Sequence, residues 1–331
     1  MYHDIRHFLR FMPLRYFLTG GLWSGPAPTL AFYLAPQGAR LLLMRGKKPV
    51  GYEPELLGEP DSPPLPEGSG ISRAVQARQL LSPKLARRYG LSADVEHLFV
   101  VDCSLKDVYI QVTTLSVLRR KTPTSLLEDL EEDPARILEE WTDHRPYRWA
   151  LVGNDFRPEP LLKAGVDEQV LLVGLPAEYC EQLETWSETE GATVTAIVPL
   201  PVAAYAYLTQ VVLPKDVARP GICVVVSDSL ALSAVIRAGR VEVIHLHKTL
   251  AEALRSIPAI VADLRLGEHF IYVWASDDQL AQVDLPREAI ALDAEQLRST
   301  SGGSLVVAES HGKKITHDEP VAHLLAWLSQ L

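Results

Sequence analysis

Apolar and polar positions in this chain follow two periods. Between residues 29 and 57, three short apolar runs, TLAFYLAP, ARLLLMRG and KPVGYEPELL, are separated by Gly and Pro and predict consecutive antiparallel strands. EPDSPPLPEGSG (59–70) is too rich in Pro and Gly to continue a sheet and reads as a surface excursion. ISRAVQARQLLSPKLARRYGL then reads as helix, with Pro83 starting a new helix or kinking the old one. VEHLFVVDCS and DVYIQVTTLSVL predict strands, being rich in β-branched residues. TSLLEDLEEDPARILEEWTDH predicts an acidic amphipathic helix with a hydroxyl cap at Thr124 and a break near Pro134. YRWALVGND is a further strand, and QVLLVGLP with the following residues to Gln210 reads as strand, helix, Gly turn, strand, helix.

From Gly221 the opening theme returns. GICVVVSDSLALSAVIRAGRVEVIHLHK predicts three hairpin strands, LAEALRSIPAIVADLRL a helix, HFIYVWAS a strand, and HDEPVAHLLAWLSQL a capped terminal helix. Two such meanders, each leading into helices and further strands, predict an α/β chain of two related lobes, although the residues themselves show no internal repeat.

With 47% hydrophobic residues over 331 positions, the chain can bury cores for two lobes. Its net charge of -10 argues against general nucleic-acid binding, which needs a basic surface. The charge is uneven: residues 1–50 carry +6, with Arg6, Arg10 and Arg15 beside a helical stripe of Ile5, Phe8, Leu9 and Phe11. That segment can pack on its own domain, lie on anionic lipid or dock in a partner's groove. The arginines interrupt any leader-like apolar region, so no signal peptide is expected, and no run reaches the roughly 18–20 apolar residues that span a bilayer. Cys103, Cys180 and Cys223 sit in apolar segments without CxxC spacing and read as reduced core residues.

The middle of the chain carries a resemblance. QVLLVGLPAEYCEQLETWSETEGATVTAIVPLPVAAYAYL and the following GICVVVSDSLALSAVIRAGRVEVIHLHK are similar to PilM-type assembly proteins of type IV pili. The cytoplasmic part of the type II secretion protein GspL is similar in build but continues into a membrane helix; the end at Leu331 favours the PilM-like reading. The resemblance implies the actin, sugar-kinase and Hsp70 superfamily: two actin-like (RNase H-like) lobes with an inserted subdomain of the kind shared with FtsA. On that basis the expected boundaries are a basic N-terminal segment (1–27), a first lobe in two parts (28–93 and 167–215), an inserted subdomain (94–166) and a second lobe (216–331).

The resemblance also implies a test of chemistry. In active relatives, each lobe's first hairpin has an acid followed two residues on by Gly, which together hold phosphate and, through water, a metal. LAPQGARL has no acid, and its Pro36 lacks an N–H, leaving only Gly38 to help. In the second lobe Asp228 is followed by Ser229 and Leu230, and Val225 stands nearer the family's acidic position. Where a Gly-rich turn would hold adenine and ribose after HFIYVW, the chain has ASDDQ, with Asp277 and Asp278. STSGGS (299–304) lacks the lysine and helix-opening context of a Walker loop.

No other set of residues predicts catalysis. The acids Glu128 to Asp133 read as a solvated helix face, because neighbouring helix positions do not converge. His245 and His247 share one face of a strand but lack a third metal ligand, and no G-x-S-x-G elbow is present. The expectation is therefore a cytoplasmic protein peripheral to the inner membrane, without cofactor: a non-catalytic adaptor that binds a single-span partner of the PilN kind. Contact with anionic lipid is expected through Arg6, Arg10 and Arg15, and oligomerisation is left open. The alternative is an ATP/Mg-binding ATPase or small-molecule kinase with a diverged cleft, using Asp228, Ser229 and Ser233.

Overall fold

The structure, a computed structural model, describes residues 28–35, 38–46, 48–56, 95–139, 141–153, 164–189, 191–209, 220–227, 229–238, 240–275, 277–287, 289–291, 305–308, 314–317 and 320–329. In chain order its elements begin with β1 (Pro28–Ala35), β2 (Gly38–Arg45), β3 (Lys48–Leu56), β4 (Glu96–Val101), β5 (Tyr109–Thr114) and α1 (Pro123–Glu132). A 3-10 turn (Pro134–Arg136), β6 (Tyr147–Gly153), β7 (Gln169–Pro176), α2 (Ala177–Thr189), β8 (Thr193–Pro199) and α3 (Leu200–Tyr207) follow. Next come β9 (Gly221–Val226), β10 (Ala231–Arg237), β11 (Arg240–His247), α4 (Leu250–Asp263), β12 (Phe270–Trp274) and α5 (Asp277–Leu280). β13 (Ala289–Ala291), β14 (Leu305–Ala308), β15 (Lys314–His317) and α6 (Pro320–Leu328) complete the chain. Contacts divide it into one unit of Met1–Cys103, Gln182–Ala203 and Ala294–Leu331, and another of Ser104–Glu181 and Ala204–Asp293.

The first unit holds a sheet in the order β3-β2-β1-β4-β8. β1, β2 and β3 form an antiparallel meander, while β4 and then β8 run parallel to β1. Six consecutive residues of β1 and five of β4 are buried, so these strands read as continuous apolar runs, as central strands covered on both faces do. Phe32 and Phe99 stack across the β1–β4 pair at 5.2 Å, and Trp186 of α2 meets Phe32 edge-on. α6 packs on β1 and β2, and the β14–β15 hairpin lies against β3.

The second unit repeats this order as β11-β10-β9-β12-β13, again a meander followed by two parallel additions. α4 covers one face with Leu250, Ala253, Ile257 and Ile260, against Ile222, Val224, Ala231 and Val235 of β9 and β10. Burying each of its two isoleucines contributes about 1.5–3 kcal/mol. The helix starts where Thr249-Leu250-Ala251-Glu252 spells a capping box. Thr249 accepts from the Glu252 N–H, and the Glu252 carboxylate accepts from the Lys248 N–H. Two sheets with the same strand order give the chain its two actin-like, RNase H-like α/β lobes.

The same unit carries the inserted sheet β5-β7-β6, antiparallel throughout, with α1 against β6. Pairing corrects three expectations. β4, expected within the inserted subdomain at 94–166, is a parallel strand of the first lobe's sheet, so the insertion starts after it. β7, expected in the first lobe's second part, is the central strand of the inserted sheet, so β7-α2-β8 is not one crossover unit. β14, β15 and α6, expected in the second lobe, pack with the first sheet. Locally, the cap of α1 is Thr122 rather than Thr124, because Pro123 takes the first helical position where its missing N–H costs nothing. The predicted strand at 107–118 stops at Thr114, after which Leu115 to Arg120 form a turn that places Arg119 at φ 55°. Cys103, Cys180 and Cys223 are buried, and burial raises the Cys223 thiol's pKa.

Candidate functional site

Open α/β sheets take ligands beyond the carboxyl ends of their parallel strands, where the strand order reverses. Each lobe has such a place, because β1 and β9 are flanked by an antiparallel strand on one side and a parallel strand on the other.

In the second lobe β9 ends at Val226 and the chain turns into β10 through Ser227 to Leu230. The Ser227 N–H donates to the Leu230 carbonyl at 2.9 Å, closing the turn. The N–H groups of Ser229 and Leu230 both donate to Ser227 Oγ, at 3.2 and 3.1 Å. The Ser227 hydroxyl in turn donates to the Leu230 carbonyl at 3.2 Å. Beyond the neighbouring β12, the Gln279 side-chain amide donates to the Ser227 carbonyl at 3.0 Å. Asp228, the acid singled out in the sequence, lies outside the described residues. Val225 is buried mid-sheet, opposite Leu232 and Trp274.

Ser233 is not gathered at this turn. It lies on β10 two residues after Ala231 and two before Val235, the residues that face α4, and it is wholly buried. Its Oγ bonds His247 Nε2 at 2.9 Å, and the Ser256 hydroxyl of α4, which donates to the Ala253 carbonyl, is 3.4 Å from the same nitrogen. Desolvation, helped by neighbouring His245, lowers the His247 pKa, and Glu252 opposes the shift. His245 and His247 have ring centroids 6.4 Å apart. Among the described residues no group of three His, Cys, Asp or Glu is placed to hold a metal.

In the first lobe the β1–β2 turn is closed by the Ala35–Gly38 pair, and its central residues, Pro36 and Gln37, are outside the described set. The residue that sequence reasoning passed over is Asp102. Its N–H continues the parallel pairing by donating to the Leu34 carbonyl at 2.7 Å, which places a carboxylate only 6% exposed at the carboxyl ends of β1 and β4. The Tyr33 hydroxyl donates to Asp102 Oδ2 at 3.3 Å, and the Arg40 guanidinium lies over the Tyr33 ring. The available signal was the single acid that ends the apolar run HLFVV.

The inserted sheet builds a different surface. Tyr109 and Trp149 flank Gly174 on the two neighbouring strands, and their rings meet at 5.4 Å over it. Trp141 packs on Tyr109, Tyr147 and Trp149. Beside this cluster, Arg145 bonds Asp107, Asp143 and the Lys106 carbonyl, each at 2.7 Å, tying the loop before β5 to the start of β6. Its hydrogen bonds hold the Asp143 carboxyl down at about 2. The segment carrying Arg6, Arg10 and Arg15, the excursion at 59–70, the predicted helix at 71–91 and STSGGS lie outside the described residues. No helix among the described residues is long and apolar enough to cross a membrane.

No family model matches the chain, and no curated protein matches it. Solved structures do. A Bacteroides thetaiotaomicron protein with an actin-like ATPase fold is 8% identical, with a TM-score of 0.47 over 86% of this chain and 93% of that one. A PilM–PilN type IV pilus biogenesis complex has a chain 13% identical, with a TM-score of 0.48 over 83% and 86%. The cytoplasmic domain of EpsL, an inner-membrane component of the Vibrio cholerae type II secretion system, is 11% identical, with a TM-score of 0.44 over 91% and 94%. At these identities and TM-scores the likeness says nothing of function, and the two-lobe architecture rests on the repeated strand order of this chain's own pairing.

Proposed function

We propose that this chain is a non-catalytic, actin-like adaptor at the cytoplasmic face of a bacterial inner membrane, part of a type IV pilus or type II secretion-like assembly platform. In this reading it receives a short cytoplasmic segment of a single-span partner of the PilN kind, and it neither requires nor hydrolyses nucleotide. The observation that carries the non-catalytic half is the turn after β9. A phosphate cradle needs backbone N–H groups free to point at oxygen. Here the N–H groups of Ser229 and Leu230 are taken by Ser227 Oγ. The assembly half rests on the sequence resemblance of residues 169–248. The inserted sheet, with its aromatic cluster, supplies rigid strands on which a partner segment would be received.

The test is a thermal-shift titration with Mg-ATP and Mg-ADP, run beside calorimetric titration with the cytoplasmic peptide of a PilN-type protein encoded next to this chain. A flat nucleotide response with saturable peptide binding is the expected result. A ligand at 100 times its dissociation constant stabilises by about 2.7 kcal/mol, well within detection. A rise with Mg-ATP that Asp228→Ala abolishes would overturn the reading in favour of a nucleotide-driven machine.

A further inference from the structure

The crevice beyond β9 and β12 is the second lobe's default ligand position, and the protein's own side chains reach into it. Ser227 is 8% exposed and completes a closed set of bonds. Its hydroxyl accepts from two successive turn amides and donates to the Leu230 carbonyl, while its carbonyl accepts from Gln279, 52 residues further along. α5, which carries Gln279, begins three residues after β12 ends at Trp274. The two strand ends that would flank a ligand are thus joined to each other.

We infer that Ser227 and Gln279 form an autoinhibitory tie: the serine hydroxyl takes the place of an oxyanion on the Ser229 and Leu230 amides, and the glutamine links the turn to the end of β12, so that anions are shut out. The inference deepens the adaptor reading and rests on it. Two neighbouring N–H groups converging on one oxygen are the geometry that also suits a phosphate oxygen, and an anionic acceptor bonds them more strongly than a neutral hydroxyl. The hydroxyl prevails because it is covalently in place, needing no ligand to be ordered from solution. Asp228, between Ser227 and Ser229 in the sequence, is an acid whose charge opposes an incoming anion. Removing the hydroxyl, and with it the competitor, uncovers the amides.

Amide hydrogen exchange at residues 229 and 230 tests this in the full chain, with inorganic phosphate as the probe. In the wild type both amides should exchange slowly and ignore phosphate. Ser227→Ala should speed their exchange about tenfold, the loss of one typical hydrogen bond. Phosphate should then slow them again, more so when Asp228→Asn is added. Ser227→Thr, which keeps the hydroxyl, should behave as wild type. Phosphate protection in the wild type would overturn the tie, as would amides in Ser227→Ala and in the double variant that phosphate leaves untouched. Should Ser227→Ala not fold, Gln279→Ala carries the test: exchange at 229 and 230 should rise because the turn is no longer held to the end of β12, while phosphate, still facing the Ser227 hydroxyl, should not reverse it; unchanged exchange, or reversal by phosphate, overturns the inference. Mg-ATP stabilisation of the wild-type chain would strike the adaptor reading, whereas phosphate-insensitive variants strike the tie alone.

Discussion

His97 is a histidine 3% exposed, stacked on Trp186 at 4.8 Å and met edge-on by Phe32. Hydrogen counting assigns its tautomer. The Ser187 hydroxyl donates its one proton to the Leu183 carbonyl, so its 2.9 Å contact with His97 Nδ1 must be received, and Nδ1 carries the proton. Desolvation lowers the ring's pKa from 6.5 to about 4. Because the folded value lies below the unfolded one, the unfolded chain binds the extra proton. Stability from this residue is complete above pH 6.5, falls as pH drops towards 4, and levels off below. The full loss is on the order of 3 kcal/mol. Urea unfolding between pH 7 and pH 4 should show that slope in the wild type, and His97→Gln should remove this component of it. Equal pH slopes in the two proteins would mean that the ring is not held neutral.

At the scale of elements, Gly174 shows how one position decides whether a sheet can form. A Cβ built there would lie 2.7 Å from Trp149 Cζ3 and 2.9 Å from Cε3, inside any tolerated contact. The glycine weakens β7 as a strand on its own, but it lets the Tyr109 and Trp149 rings close over the backbone. Trp149 is 5% exposed, and its indole N–H has no hydrogen-bond partner among the described residues. It sits instead among the rings of Tyr109, Trp141 and Tyr147, where an aromatic face is a weak acceptor. Gly174→Ala should therefore cost about 1–3 kcal/mol by overpacking, and it should diminish the near-ultraviolet circular dichroism of the cluster. A neutral substitution would show that the aromatic packing is looser than these distances state. The same element shows the reach of pattern reading: QVLLVGLP is unmistakably a strand, but nothing in its residues says whether its neighbours are β5 and β6 or β4.

For the whole molecule, the uneven charge makes a prediction of its own. Residues 1–50 carry +6 and the remainder -16. Each basic residue near an anionic surface contributes about 1 kcal/mol, so the chain should float with phosphatidylserine liposomes at low salt, and deleting residues 1–22 should reduce that association severalfold. Unchanged flotation of the shortened chain would remove lipid from the roles of Arg6, Arg10 and Arg15. Function at this scale was only partly legible. The loss of Gly and acid from the hairpin loops is written in SDSL and APQG, but the engagement of the hairpin amides by Ser227 emerges only once the turn is folded. Asp102 was missed because a lone acid after an apolar strand gains meaning from the strand beside it, here β1.

Periodicity, β-branched runs and capping residues determined most of the described elements from local interactions alone, because backbone geometry and side-chain burial repeat every two or 3.6 residues. The box Thr249-Leu250-Ala251-Glu252 marks the start of α4 in this way, and the runs around Ala31 and Val224 mark central strands. The tertiary structure alone decided which strands pair. β4 joins β1 and β8 while β7 joins β5 and β6, and the late β14–β15 hairpin and α6 return to the first sheet. Strand pairing joins backbone groups that every residue carries, and the choice of partner is settled by burial summed over the whole core. No local pattern encodes that sum, which is why the lobes were readable as a theme and their membership was not.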